Sequence, residues 1–108
     1  MAQGTFIVTW SDFIAWFRRP RRLAGQQIVM YTRSGCHLCE TAWAQLEAAR
    51  HRWGFDLSMV NVDGDPELAA KYGNEVPVVT VHGTVRFRGI VNAVLLERLL
   101  RAEALRKD

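Results

Sequence analysis

The chain contains two cysteines, and both fall within one turn's length of sequence as Cys36-His37-Leu38-Cys39. At this spacing the sulfurs can close a small disulfide loop or stand as a dithiol. The preceding run Ile28-Val29-Met30-Tyr31 is short, apolar and partly β-branched, as a buried strand is, and Thr32-Arg33-Ser34-Gly35 links it to the cysteines. Residues 40–53 then carry helical periodicity. A strand, a Cys-x-x-Cys and a helix in that order put Cys36 at a helix N-terminus, where unpaired N–H groups and the helix dipole favour negative charge. Such a site favours the thiolate, the nucleophilic form of cysteine. The chemistry expected is dithiol–disulfide exchange, with Cys36 attacking and Cys39, one turn inside the helix, resolving.

Helix termini alone do not complete that activation. Lowering a thiol pKa from about 8.5 by two takes roughly 2.7 kcal/mol, and a helix terminus supplies about 1 kcal/mol. Arg33, a protonated His37 and the Cys39 S–H are the groups the sequence offers for the remainder. His37 changes charge near neutral pH, but it reads equally well as an exposed side chain with no electrostatic part. His51 reads as a solvated helix residue and His82 as a turn residue. Two cysteines give half of a structural zinc site, and neither distant histidine has ligand spacing. A non-enzymatic role therefore stands as the rival: a metal or iron–sulfur carrier whose site is shared across a dimer or completed by glutathione, or a redox-sensing interaction module.

The elements that must hold the pair in place follow from pattern. Leu38, Ala42, Leu46, Ala49 and Trp53 share one helical face, and Gly54 sits where a C-terminal cap belongs. Residues 55–62 read as a second strand. Asp65-Pro66 opens a short helix that Gly73 ends. Residues 76–81 form a strand with Pro77 near its start, and His82-Gly83 is a tight hairpin turn into residues 84–88. Val91, Leu95, Leu99 and Ala102 mark the buried stripe of a last helix, with Val94, Leu96 and Leu100 on its shoulders. A βαβ unit, a short helix, a β-hairpin and a helix make an α/β fold with a small four-stranded mixed sheet.

At 108 residues and 49% hydrophobic, the chain is long enough for one domain with its own core and needs no disulfide scaffold. The net charge of +3 is concentrated in residues 1–27, where Arg18, Arg19, Arg21 and Arg22 face Asp12; acids and bases balance in residues 28–108. A basic face on the fold itself is missing, so nucleic acid is not an expected partner. Phe6-Ile7-Val8 is too short for a signal peptide, no apolar run approaches a membrane span, and the expected compartment is the cytoplasm.

The motifs together resemble the glutaredoxin branch of the thioredoxin superfamily, over residues 28–105. Tyr31-Thr32-Arg33-Ser34-Gly35-Cys36 is similar to the glutaredoxin approach to its active cysteine, with Arg33 where a lysine is common. Val76-Pro77 is similar to the family's Val-Pro step. Residues 60–68, with Tyr72-Gly73 and Val76-Pro77-Val78, resemble a subfamily of short glutaredoxin-like proteins. The resemblance implies a thioredoxin-like fold, a cis Pro77 that exposes the Val76 backbone to a substrate strand, and substrate contacts from Tyr31, Arg33, Val76, Pro77 and Gly89. It implies disulfide-containing protein substrates and a thiol reductant, either glutathione as co-substrate or a thioredoxin-reductase-type system, with no tightly bound cofactor. Two departures stand out. His37-Leu38 replaces the Pro-Tyr usual between the cysteines, and Gly89-Ile90-Val91-Asn92 replaces a Gly-Gly with acidic or hydroxyl residues that holds a glutathione carboxylate.

Residues 1–27 form an extension ahead of the domain at 28–108. Thr9-Trp10-Ser11-Asp12 fits a capping box, and Trp10, Phe13, Ile14 and Phe17 recur at i, i+3, i+4, i+7, so a short amphipathic helix is expected before Pro20. Its apolar face either packs on its own domain or, through residues 9–22, docks weakly on a membrane surface or a partner.

Overall fold

A computed structural model describes residues 23–107; the expected helix around Trp10 and Phe17 lies outside the described residues. The described chain runs β1 (Gln27–Thr32), α1 (His37–Trp53), β2 (Asp56–Asn61), a 3-10 turn (Val62–Gly64), α2 (Pro66–Tyr72), β3 (Val78–Val81), β4 (Thr84–Arg88) and α3 (Ala93–Lys107). The sheet order is β2-β1-β3-β4. Strand β1 pairs parallel with β2 and antiparallel with β3, and β3 pairs antiparallel with β4. This is the mixed four-stranded α/β arrangement expected from the pattern, and both Cys36 and the parallel β1–β2 crossover follow from α1 starting directly above β1.

Alternation along β1 sorts the two layers. Ile28 and Met30 join the main core with Cys39, Ala42, Leu46 and Ala49 of α1 and with Leu96, Leu99, Leu100 and Ala104 of α3. Tyr31 points the other way, into a smaller cluster with Val62, Tyr72 and Val78 under α2. Every residue of β3 is buried, as befits a strand covered on both faces. Leu46 is fully buried in the main core. Leu46→Ala is expected to cost about 2–5 kcal/mol, which in a domain of this size lowers Tm by ~10 °C or more in a thermal melt.

Local chemistry sets the ends of these elements. Gly54 closes α1 in the left-handed region at φ 79°, its N–H donating to Arg50 O at 2.7 Å. Asp65 Oδ1 accepts from Glu67 N–H at 2.9 Å and Pro66 occupies the first turn of α2. The His82-Gly83 turn takes positive φ at both residues, 52° and 80°, as a two-residue hairpin requires. Strand β3 begins at Val78, so Val76 and Pro77 precede the ladder.

Three details depart from the sequence reading. Leu38 is 50% exposed and Cys39 takes the buried place on α1, because the helix begins at His37 and so turns Leu38 outward between the cysteines. The buried stripe of α3 is Leu96, Leu99, Leu100, Glu103 and Ala104, with Val94 and Leu95 exposed. The run from Val94 to Leu100 supports either of two overlapping stripes; the structure selects the one in which buried Glu103 accepts a hydrogen bond from Arg106 Nη1 at 3.1 Å. Finally, Leu23 and Gln26 are buried against the domain, with Leu23 N–H donating to Trp53 O at 2.9 Å.

Candidate functional site

Cys36 is the N-cap of α1, with extended backbone at φ −88° and ψ 106°. Its sulfur is bonded to Cys39, across a Cα–Cα distance of 5.2 Å. The Cys39 N–H points at Cys36 Sγ from 3.1 Å, so a first-turn amide serves the sulfur directly. The two cysteines differ in access: Cys36 is half-buried, whereas Cys39 is 3% exposed in the core. The sequence placed the pair correctly because strand, link and helix are all local.

Just ahead of β3, the Val76–Pro77 peptide is cis. No backbone hydrogen bond among the described residues uses Val76. Gly89, at φ 83°, closes the far side of this step by directing its N–H at Pro77 O (2.8 Å) and Glu75 O (3.0 Å). The Gly89 bonds thus hold it against the Val76–Pro77 step. Arg88 pairs with Glu75 beside them. Tyr31 packs its ring 4.8 Å from that of Tyr72, within the α2 layer.

On the β2 side an open cavity of about 400 Å³ has Cys36 and Cys39 among its lining residues. Met30, Trp43 and Met59 supply apolar walls, and Thr32, Arg33, Glu40 and Asn61 supply polar ones. Sequence reasoning missed this cleft. Its walls come from α1, β1 and β2 together, and Met59 carried no signal beyond its place in a strand.

Arg33 occupies the position of the family's lysine but is not free. Its Nη2 donates to Asp63 Oδ1 at 2.6 Å, its Nε to Asp63 Oδ2 at 3.4 Å and its Nη1 to Gly73 O at 2.9 Å. The hydrogen bond to Arg33 holds the Asp63 carboxyl below the usual carboxylate range, and the same bond raises the Arg33 pKa. Asp63 is a partner the sequence reading did not name. Because its pKa is depressed by folding, the stabilisation is present above its unfolded value, about 3.9, and is lost as pH falls through the folded one. Asp63→Asn is therefore expected to lower Tm at pH 7, with the gap to the parent closing below about pH 3 in thermal melts.

His37 is 97% exposed at its side chain, with Nδ1 3.6 Å from Glu40 Oε1. Among the described residues no three His, Cys, Asp or Glu side chains gather as a metal site, and no helix is long and apolar enough to cross a membrane.

Comparison with known proteins agrees with this geometry. Uncharacterized proteins of Mycobacterium tuberculosis and Mycobacterium bovis are 36% identical over 62 residues, a match spanning 53% of this chain and 64% of theirs. A Nitrosomonas europaea protein solved by NMR is 28% identical, with a TM-score of 0.60 over 68% of this chain and 89% of its own. An X. campestris protein solved by X-ray is 31% identical, with a TM-score of 0.59 over 69% and 96%. Oxidised thioredoxin from Plasmodium falciparum shares the fold at 18% identity and a TM-score of 0.55, over 91% of this chain and 95% of its own. A family model for the Glutaredoxin-like domain (DUF836) matches residues 27–106, and with its Cys36–Cys39 disulfide set in a thioredoxin fold the chain belongs to that glutaredoxin-like family.

Proposed function

We propose that this protein is a cytoplasmic thiol–disulfide oxidoreductase that reduces disulfides of protein or small-molecule substrates. The observation that carries the proposal is the Cys36–Cys39 disulfide capping α1, with one sulfur accessible and the other buried. In the reduced protein the Cys36 thiolate attacks one sulfur of the substrate disulfide. A Cys36–substrate disulfide forms and the first substrate thiolate leaves, taking a proton. The Cys39 thiolate then attacks Cys36 Sγ, closing the 36–39 disulfide and expelling the second substrate thiolate. Two electrons pass to the substrate, and an external thiol reductant returns them.

The unpaired Val76 backbone beside the cis Pro77 supports docking of an extended substrate segment by strand addition. Arg33 acts through position, since Asp63 and Gly73 hold it at the entrance to the Cys36 link. The test is twofold. Purified protein with a dithiol-regenerating system should turn over a protein disulfide, and the Cys36–Cys39 couple should equilibrate at about −230 mV or lower. Protein that turns over no disulfide and carries stoichiometric metal would instead establish a carrier.

A further inference from the structure

We propose that the cleft beside the disulfide binds a lysine or arginine side chain of the substrate, two positions from the cysteine under exchange, with the cation at Glu40 and Trp43. This assignment rests on the exchange reaction proposed above and adds the class of substrate that the site selects. Cys36, Glu40 and Trp43 stand at i, i+4 and i+7, so they share one side of α1, running away from the reacting sulfur. All three line the cavity of about 400 Å³, and Met59 of β2 lines it with them.

The charge balance of the cleft decides for a cation. Arg33 and Glu40 are the charged side chains of its lining, beside neutral Thr32, Ser34 and Asn61. Arg33 is already engaged, giving two N–H bonds to Asp63 and a third to Gly73 O. Glu40 has no such partner. Its charged neighbour among the described residues is His37 Nδ1 at 3.6 Å, too long for a hydrogen bond. One uncompensated carboxylate therefore stands beside an indole. That pairing suits an ammonium or guanidinium group, and Met59, 48% exposed, offers apolar surface to the aliphatic stem. A purely apolar side chain would strip water from Glu40 without replacing it, and an acidic one would be repelled.

Sheet register brings the cleft within reach of a bound substrate. Thr32 pairs with Asn61 and Tyr31 with Val78, which sets Asn61 of the cleft and the Val76–Pro77 step at one end of the sheet, on opposite sides of β1. A substrate segment that meets the Val76 backbone and continues past Cys36 therefore heads for the cleft. In an extended chain, residues two apart point to the same side and lie ~7 Å from each other. Glu40 lies one helical turn beyond Cys36, a rise of ~6 Å. A substrate cysteine at Cys36 and a basic residue two positions away are thus in step with Cys36 and Glu40.

Full-length Cys39→Ser protein, in which mixed disulfides on Cys36 persist, provides the test. The probes are peptides Gly-Xaa-Ala-Cys-Ala-Xaa-Gly in which Xaa is lysine, norleucine, glutamate or glycine. Protein loaded with the norleucine peptide is mixed with equal amounts of two peptide thiols, and the mixed disulfides at equilibrium are read by intact-protein mass spectrometry. Each exchange breaks one S–S bond and forms one, a proton passes between the peptide thiols, and nothing is oxidised on balance. At low salt the preference for lysine over norleucine is expected to be about fivefold larger in this protein than in the same protein carrying Glu40→Gln. Comparing the two proteins cancels the peptides' own thiol chemistry. Met59→Lys, at an exposed position, places a cation of the protein's own in the cleft and should remove the preference as well. The glutamate peptide should be held least. A lysine preference that survives either substitution, norleucine held as well as lysine, or glycine held as well as both overturns the proposal. Failure of every peptide to form a mixed disulfide would instead overturn the exchange reaction itself, and this assignment with it.

Discussion

Cys36→Ser is expected to reduce disulfide turnover to background and to trap no partner, whereas Cys39→Ser accumulates mixed disulfides through Cys36. The asymmetry follows from access and hydrogen bonding together. Cys36 is half-buried at the end of α1, and the Cys39 N–H donates to its sulfur at 3.1 Å, a contact that favours sulfur carrying negative charge. Cys39 is enclosed by the main core, so a substrate disulfide does not reach it, but Cys36 Sγ does. In reduced protein, an alkylating reagent near pH 7 should therefore modify Cys36 roughly tenfold or more faster than Cys39. Mass spectrometry of each labelled cysteine measures this directly. Equal rates, or mixed disulfides formed through Cys39, would reverse the assignment.

Much of this site was legible because it is local. A strand, a four-residue link and a cysteine at a helix N-cap are all specified within residues 28–40, and the hairpin at His82-Gly83 is set by the backbone those two residues tolerate. The cis Pro77 came from resemblance and not from spacing. What escaped depended on register and on distant partners. Leu38 and Cys39 are adjacent, and only the true helix start decides which one faces the core. In α3 the density of leucines left two stripes open, and the one that faces the core takes Glu103 inward, where Arg106 pairs with it. Arg33 read as a cation that could tune Cys36, and its partner Asp63 went unnamed because it lies thirty positions away; the pair exists only once β1 and the turn after β2 are adjacent. The β2-side cleft was invisible for the same reason, being a gap between three elements.

The Arg33–Asp63 pair bears on the choice of reductant, where the expected result is a preference for a dithiol or a thioredoxin-reductase-type system over glutathione. The resemblance implies three anchors for glutathione: a cation near the active cysteine, the Val-Pro backbone and amides before the last helix. In this chain the Val76 backbone makes no hydrogen bond among the described residues. The cation is held by two bonds to Asp63 and one to Gly73 O. At the third anchor the Gly89 N–H is directed at Glu75 O and Pro77 O, and the Ile90 N–H at Arg88 O. Asn92 Oδ1 is turned to Leu95 N–H at 3.0 Å, and exposed Ile90 and Val94 stand where charged or hydroxyl groups would serve a carboxylate. Losing charge-assisted amide contacts of this kind costs about 1.5–3 kcal/mol, or roughly one to two orders of magnitude in affinity. Turnover of a glutathione mixed disulfide should accordingly be ~10–100-fold less efficient than reduction of a protein disulfide driven by a dithiol, when both are compared as kcat/KM. Asp63→Asn separates the contributions, because it frees Arg33 without touching the Gly89 segment. If the salt bridge is the main obstacle, that variant gains glutathione turnover; if the occupied amides are, it gains little. Rapid glutathione-specific turnover by the parent protein would mean that neither the pairing of Arg33 nor the internal bonding of Gly89 and Ile90 keeps glutathione out, and that the unpaired Val76 backbone is sufficient to hold it.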